Sequence, residues 1–129
     1  MNFSRSLAYV LSRSRRCFKV DRLGISVVES EGKDIVKVNG DIDAYSTGEL
    51  KKFMTDLISR TEKSTLVIDM SNVPYVDSAG LGMLVSILRE SKSAGKSLVL
   101  ASMKPNVKRI FELTRLDKVF TITDTVQEA

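Results

Sequence analysis

Residues 64 to 85 read STLVIDMSNVPYVDSAGLGMLV, and a strand, a turn and a helix are written there one after another. Leu66-Val67-Ile68 is an unbroken apolar run of strand length, the pattern of a central strand buried on both faces. The turn that follows holds Pro74, Asp77 and Ser78. Helical spacing then starts at Leu81 and continues through Leu84, Val85 and Leu88 until Gly95, a residue suited to close a helix in the left-handed conformation. Strand, turn and helix in about thirty residues form the unit of a parallel sheet with right-handed crossovers. Sites in such sheets form at the carboxyl ends of strands, and Ser78 falls just after one.

The flanking sequence extends this unit in both directions. Residues 25 to 30, ISVVES, and 34 to 38, DIVKV, are β-rich runs joined by Ser30-Glu31-Gly32-Lys33, so the sheet begins with an antiparallel hairpin. Ser46-Thr47-Gly48-Glu49 has the spacing of a capping box, and Leu50, Phe53, Met54, Leu57 and Ile58 repeat at helical intervals behind it. Downstream, SLVLAS at 97 to 102 is a short strand, and Pro105 suits the first turn of a further helix carrying Val107, Ile110, Phe111 and Leu113. VFTI at 119 to 122 reads as a last strand, with one more helix starting in the final residues. The expected fold is a single α/β domain: a mixed, mostly parallel sheet of four to five strands with an N-terminal β-hairpin and three to four helices.

Bulk properties restrict the chemistry. The 129 residues contain no histidine and one cysteine, Cys17, so Ser-His-Asp catalysis, an internal disulfide and a cysteine metal site are all excluded. A lone cysteine suits a reducing cytoplasm. No stretch approaches the ~20 consecutive apolar residues of a membrane span, and a soluble protein is expected. The net charge of +4 is unevenly placed. Of the 20 Lys and Arg, five (Arg5, Arg13, Arg15, Arg16, Lys19) lie in the first twenty residues with no acid among them, and the remaining fifteen face 16 Asp and Glu. The body is therefore near neutral, and direct nucleic-acid binding is not expected of it. In the basic head, residues 1 to 20, Phe3, Leu7, Val10 and Leu11 fit one face of a short amphipathic helix.

From residue chemistry alone the Asp77-Ser78 turn admits three uses. One of the two is a helix N-cap; or the helix start binds an anion, although GxxxxGK[ST] is missing and Asp77 would repel the ligand; or Ser78 is itself a phosphate acceptor, exposed where a kinase can reach it.

The run from Leu66 to Phe120 resembles the STAS domain, named for sulfate transporters and anti-sigma factor antagonists. GDIDAYSTGEL, residues 40 to 50, resembles the family's early G-x-[IL]-D before a helix; DSAGLG, 77 to 82, resembles its D-S-[ST]-G-x-G signature; KPNVKRIFELTRLDKVF, 104 to 120, resembles its closing segment. The resemblance spans residues 24 to 126 and leaves the head outside. Two positions depart from the pattern. Ala79 stands where many members have a second hydroxyl, and Arg115 replaces the glycine of L-T-G-L, so the third helix is expected to end without that left-handed glycine.

A short chain with no transporter or sensor attached is similar to the bacterial anti-sigma factor antagonist branch. The resemblance implies partner switching. The unphosphorylated protein binds an anti-sigma factor serine kinase, phosphorylation of Ser78 releases it, and a serine phosphatase acting on phospho-Ser78 restores it. It implies a cytoplasmic substrate of an enzyme rather than an enzyme, with no cofactor. A STAS module sensing an anionic or nucleotide ligand, or serving in a larger signalling assembly, is the alternative. The residues expected to contact the partner are Asp43, Asp77, Ala79, Gly80, Gly82, Met83 and Ile87. Met83 and Ile87 enter because Leu81, Leu84, Val85 and Leu88 define a core side from which those two point away.

Overall fold

The computed structural model describes the backbone of residues 17–20 and residues 23–129 in full. The helix expected across Phe3 to Leu11 lies outside the described residues. Six strands form one sheet in sequence order: β1 (Cys17–Val20), β2 (Leu23–Ser30), β3 (Lys33–Asn39), β4 (Thr65–Asn72), β5 (Ser97–Ala101) and β6 (Thr121–Thr123). The first two pairings are antiparallel and the last three parallel. Three helices, α1 (Thr47–Arg60), α2 (Ser78–Ser93) and α3 (Pro105–Leu113), connect the parallel strands, with a short 3-10 turn at Leu116–Lys118. This is the expected α/β domain with one strand more than the four to five read from the sequence. The extra strand, β1, comes from the end of the basic head and pairs with β2.

The hairpin between β2 and β3 turns on Glu31 (φ 52) and Gly32 (φ 79), two left-handed residues in a row, whose twist matches that of the flanking strands. Each parallel crossover advances to the next strand in the same direction, so a constant hand puts all three helices on one face. The main core lies between that face and the helices, built from Ile25, Val36, Val38, Leu66, Ile68, Met70, Leu98 and Leu100 against Leu50, Met54, Leu84, Ile87, Val107 and Phe111. Phe120 closes its end edge-on to Phe111, ring centroids 5.6 Å apart. On the other face Val67, Val99 and Ala101 form a second, smaller cluster with Ile35, Val126 and Ala129. The expected terminal helix is not formed: residues 124–129 are turns, and they bring Val126 and Ala129 onto the otherwise open face. Leu66, Val67 and Ile68 are all fully buried, as a central strand requires.

Helix α2 corrects the expectation for its exposed face. Its buried residues are Gly80, Leu81, Met83, Leu84, Ile87, Leu88 and Ser91. At about 100° per residue they cover an arc of about 160°, centred near Leu84 and Ile87. Met83 is only 8% exposed and Ile87 is fully buried, so the outward pair inferred from spacing belongs to the core. The cause is a second neighbour. α2 packs on α1 as well as on the sheet, and a helix with two apolar neighbours needs a wider stripe than one with a single neighbour. The exposed side instead carries Ser78, Ala79, Gly82, Arg89, Lys92 and Ser93. The helix ends at Gly95 as the sequence indicated. Gly95 sits at φ 75, its N–H donates to the Lys92 carbonyl (3.0 Å), and the Lys96 N–H donates to the Ser91 carbonyl (2.8 Å).

Two further details concern α3. Arg115 takes the left-handed conformation itself, at φ 65 and ψ 15, so α3 ends without the glycine, as expected, and the arginine adopts the conformation that the glycine would have supplied. Pro105 occupies the first turn of α3, as expected, where its missing N–H costs nothing.

Burial in α2 sets the outcome of charge insertion. Leu84→Lys and Ile87→Lys each place an ammonium group where no water reaches, and each is expected to abolish cooperative unfolding at room temperature. Arg89→Lys on the exposed side should leave the melting temperature within a degree or two. Circular dichroism melts of the three variants check this, and a native-like melt for Ile87→Lys would return that residue to the surface.

Candidate functional site

The site is assembled at the carboxyl ends of two neighbouring parallel strands, β3 and β4. The segment after β3 runs Asp41-Ile42-Asp43, and the segment after β4 runs Val73 to Asp77. Backbone bonds join them. The Ile42 N–H donates to the Tyr75 carbonyl (3.0 Å), the Asp77 N–H donates to the Ile42 carbonyl (3.2 Å), and Ile42 and Val76 form a parallel bridge. The two segments thus continue the sheet for one more step beyond the named strands.

That step needs Gly80. A Cβ on residue 80 would lie 2.4 Å from the Ile42 carbonyl oxygen and 2.9 Å from a Val76 methyl, distances no side chain tolerates. Gly82, one turn from Ser78 on the exposed side of α2, faces open space: a Cβ added there would meet nothing within 4 Å. The two glycines of the GLG run therefore answer to different demands: the fold requires the first and not the second.

Asp77 is the N-cap of α2. Its Oδ1 accepts from the Gly80 N–H at 2.9 Å, satisfying one of the amides orphaned at the helix start, and its Oδ2 accepts from the Ala44 N–H at 3.3 Å. One carboxylate holds both the helix and the loop after β3. Ser78 is the first helical residue and is exposed. Because Asp77 does the capping, the hydroxyl of Ser78 has no part in it. The choice left open at this turn is settled to that extent.

The loop after β3 is equally fixed. Asp43 Oδ1 accepts from the Tyr45 N–H (3.0 Å) and the Ser46 N–H (3.2 Å), while the Asp43 carbonyl accepts from the Ser46 and Thr47 N–H groups, both at 3.0 Å. The expected capping box is absent. Ser46 occupies the cap position of α1 with its side chain making no cap bond; its hydroxyl is buried, donates to the Asp41 carbonyl (2.9 Å) and accepts from the Asp43 N–H (3.0 Å). Asp43 takes over the turn because its carboxylate reaches two amides from inside the loop.

The structure accordingly brings together Asp43, Asp77, Ser78 and Ala79, and places Gly82 beside them on the open side of α2. Gly80 is beneath them, against Ile42. Met83 and Ile87 are in the core. Two large side chains that spacing gave no reason to select stand at the same place: Tyr45, 75% exposed, and Tyr75, 49% exposed. Their sequence signal is that each is an aromatic residue within a turn. Among the described residues no group of three His, Cys, Asp or Glu side chains is arranged to hold a metal ion, and no helix is long and apolar enough to cross a membrane.

A six-stranded α/β sheet with three crossover helices on one face and a serine at the start of one of them, capped by the preceding aspartate, defines a class of small α/β domains. The chain belongs to the STAS domain family, whose model matches residues 24–129. The anti-sigma-B factor antagonist of Staphylococcus aureus is 29% identical over 89 residues, which cover 69% of this chain and 82% of that protein. The crystal structure of an anti-sigma factor antagonist from Mycobacterium paratuberculosis superimposes with a TM-score of 0.71 at 28% identity, covering 85% of this chain and 92% of that one. The Bacillus cell fate determinant SpoIIAA in its phosphorylated form shares the fold, with a TM-score of 0.61 at 15% identity over 81% of this chain and 94% of that one.

The glycine pair separates the two demands experimentally. Gly80→Ala is expected to cost about 2–3 kcal/mol, because backbone and not a flexible side chain stands in the way. Gly82→Ala, in open space inside a helix, is expected to gain about 0.5–1 kcal/mol. Urea denaturation of both variants measures the difference, and equal effects would mean that Gly80 is not in close approach.

Proposed function

We propose that the protein is an anti-sigma factor antagonist of the bacterial cytoplasm that works by partner switching. Unphosphorylated, it binds an anti-sigma factor serine kinase and so frees a sigma factor for transcription. Phosphorylation of Ser78 by that kinase ends the binding, and a serine phosphatase acting on phospho-Ser78 restores it. The protein is the substrate in this cycle and not the enzyme.

The observation that carries the reading is the division of labour between Asp77 and Ser78. A serine at a helix start usually serves the helix, but here the aspartate holds the Gly80 N–H and the serine hydroxyl is exposed without that duty. Phosphorylation would add about −1.5 to −2 charges, next to the carboxylates of Asp43 and Asp77. A close-fitting partner surface would have to accommodate the phosphate and strip its water, and each 1.4 kcal/mol of that penalty lowers affinity about tenfold.

The contact face in this proposal comprises Asp43, Asp77, Ser78, Ala79 and Gly82. Gly82 supports it independently. The fold does not need a glycine there, whereas close approach of a partner backbone would. Gly80 serves the face from below by fixing α2, and Met83 and Ile87 are withdrawn from it.

Incubation with ATP, magnesium and a serine kinase homologue of the anti-sigma factor class from the same organism should add the mass of one phosphate. Ser78→Ala should add none and still bind the kinase, and Ser78→Asp should bind about tenfold more weakly. Phosphate incorporation by the alanine variant would place the acceptor elsewhere. Asp43→Asn isolates the charge, since an amide oxygen accepts the same two N–H bonds. It is expected to weaken kinase binding in titration calorimetry while shifting stability by less than about 0.5 kcal/mol. Gly82→Ala, although more stable, should also bind more weakly.

A further inference from the structure

We propose that Tyr45 and Tyr75 are the two anchors by which this protein is gripped beside Ser78, and that their partner is the serine kinase itself. The inference rests on the function proposed above and adds which side chains supply the affinity.

Position comes first. Tyr75 is three residues before Ser78, and consecutive Cα atoms are about 3.8 Å apart, so its Cα lies within about 11 Å of that of Ser78. Tyr45 is reached through the 3.3 Å bond from the Ala44 N–H to Asp77 Oδ2, which keeps its Cα within about 16 Å by the same count. A standard interface covers about 800 Å² on each partner, equivalent to a disc of about 16 Å radius. A footprint of that size centred on Ser78 reaches the backbone positions of both tyrosines.

Exposure and rigidity come next. Tyr45 has three-quarters of its surface open and Tyr75 about half. The backbone under each is fixed. The Tyr45 N–H is held by Asp43 Oδ1 (3.0 Å), and the Tyr75 carbonyl by the Ile42 N–H (3.0 Å). The Pro74 carbonyl just before Tyr75 accepts from Asn106 Nδ2 at 2.7 Å, which ties this turn to the start of α3. A tyrosine on fixed backbone buries a large ring and keeps a polar tip, and tyrosine is enriched among the residues that dominate interfaces. Leu113 is as open as Tyr45, at 70%, but lies at the far end of α3, at the opposite edge of the helix layer from the carboxyl ends of the strands. The chemistry required of the kinase is a pair of apolar recesses with polar rims beside its phosphoryl-transfer centre.

The test uses the full chain and the same kinase homologue. Tyr45→Ala and Tyr75→Ala are each expected to weaken kinase binding at least tenfold, and the double variant by about a hundredfold, in calorimetric titration with the ADP-bound kinase. The concentration for half-maximal phosphorylation should rise in parallel while the rate at saturation changes less. Tyr45→Phe and Tyr75→Phe should keep most of the affinity, Leu113→Ala should keep all of it, and melting temperatures should match the wild type. If wild type is phosphorylated on Ser78 and both alanine variants bind as it does, the anchors are overturned and the function stands. A loss in Leu113→Ala equal to that in the tyrosine variants also overturns them. If wild type neither binds nor is phosphorylated, the function falls and the anchors with it.

Discussion

The first turn of α2 lies against the backbone of Ile42, and that approach is open only to a residue without a side chain. Gly80 supplies it. With the helix drawn in, the Ile42 carbonyl receives the Asp77 N–H, Ile42 pairs with Val76, and Asp77 reaches the Ala44 amide. The loop after β3 and the start of α2 then behave as one surface rather than two mobile ends. Had residue 80 carried even a methyl group, the helix would stand off, and Asp77 would have to give up one of its two partners.

Much of this is legible in the order of residues alone. The β2–β3 turn, the buried run at Leu66–Ile68, the parallel order of the second half and the left-handed close at Gly95 all follow from local chemistry that tertiary context does not override. The placement of Asp77 and Ser78 between the end of β4 and the start of α2 follows too. What fails has a common origin. Ser46 has the spacing of a capping box, but a neighbouring aspartate reaches the same loop's amides from inside it, and spacing does not report such competition. The face of α2 is centred by spacing on four leucine and valine positions, as if the helix touched only the sheet. Helix α1 as a second neighbour rotates the true centre toward Ile87. A sequence records how much apolar surface a helix carries, and the number of surfaces waiting for it is a property of the assembled fold.

The helices occupy one face of the sheet and leave the other to the residues near the C-terminus. Val67 and Val99 are buried there because Val126 and Ala129 come back over them, while Val28, two strands away, is 38% exposed. A sheet covered on one side keeps its strand ends accessible all along one rim. The serine, the two aspartates and both tyrosines lie on that rim, where chain segments change direction and packing demands are lightest.

Asp77 performs the capping, and so the hydrogen bond that starts α2 does not depend on the hydroxyl of Ser78. The consequence reaches beyond binding. Under the proposed function a phosphate on Ser78 would break no capping bond, and it would change the unfolded population only through its charge, which favours the N-terminus of α2 and is opposed by Asp43 and Asp77. Where those two charge effects cancel, the duration of such a mark would be set by the enzymes that write and erase it, and not by the lifetime of the protein that carries it.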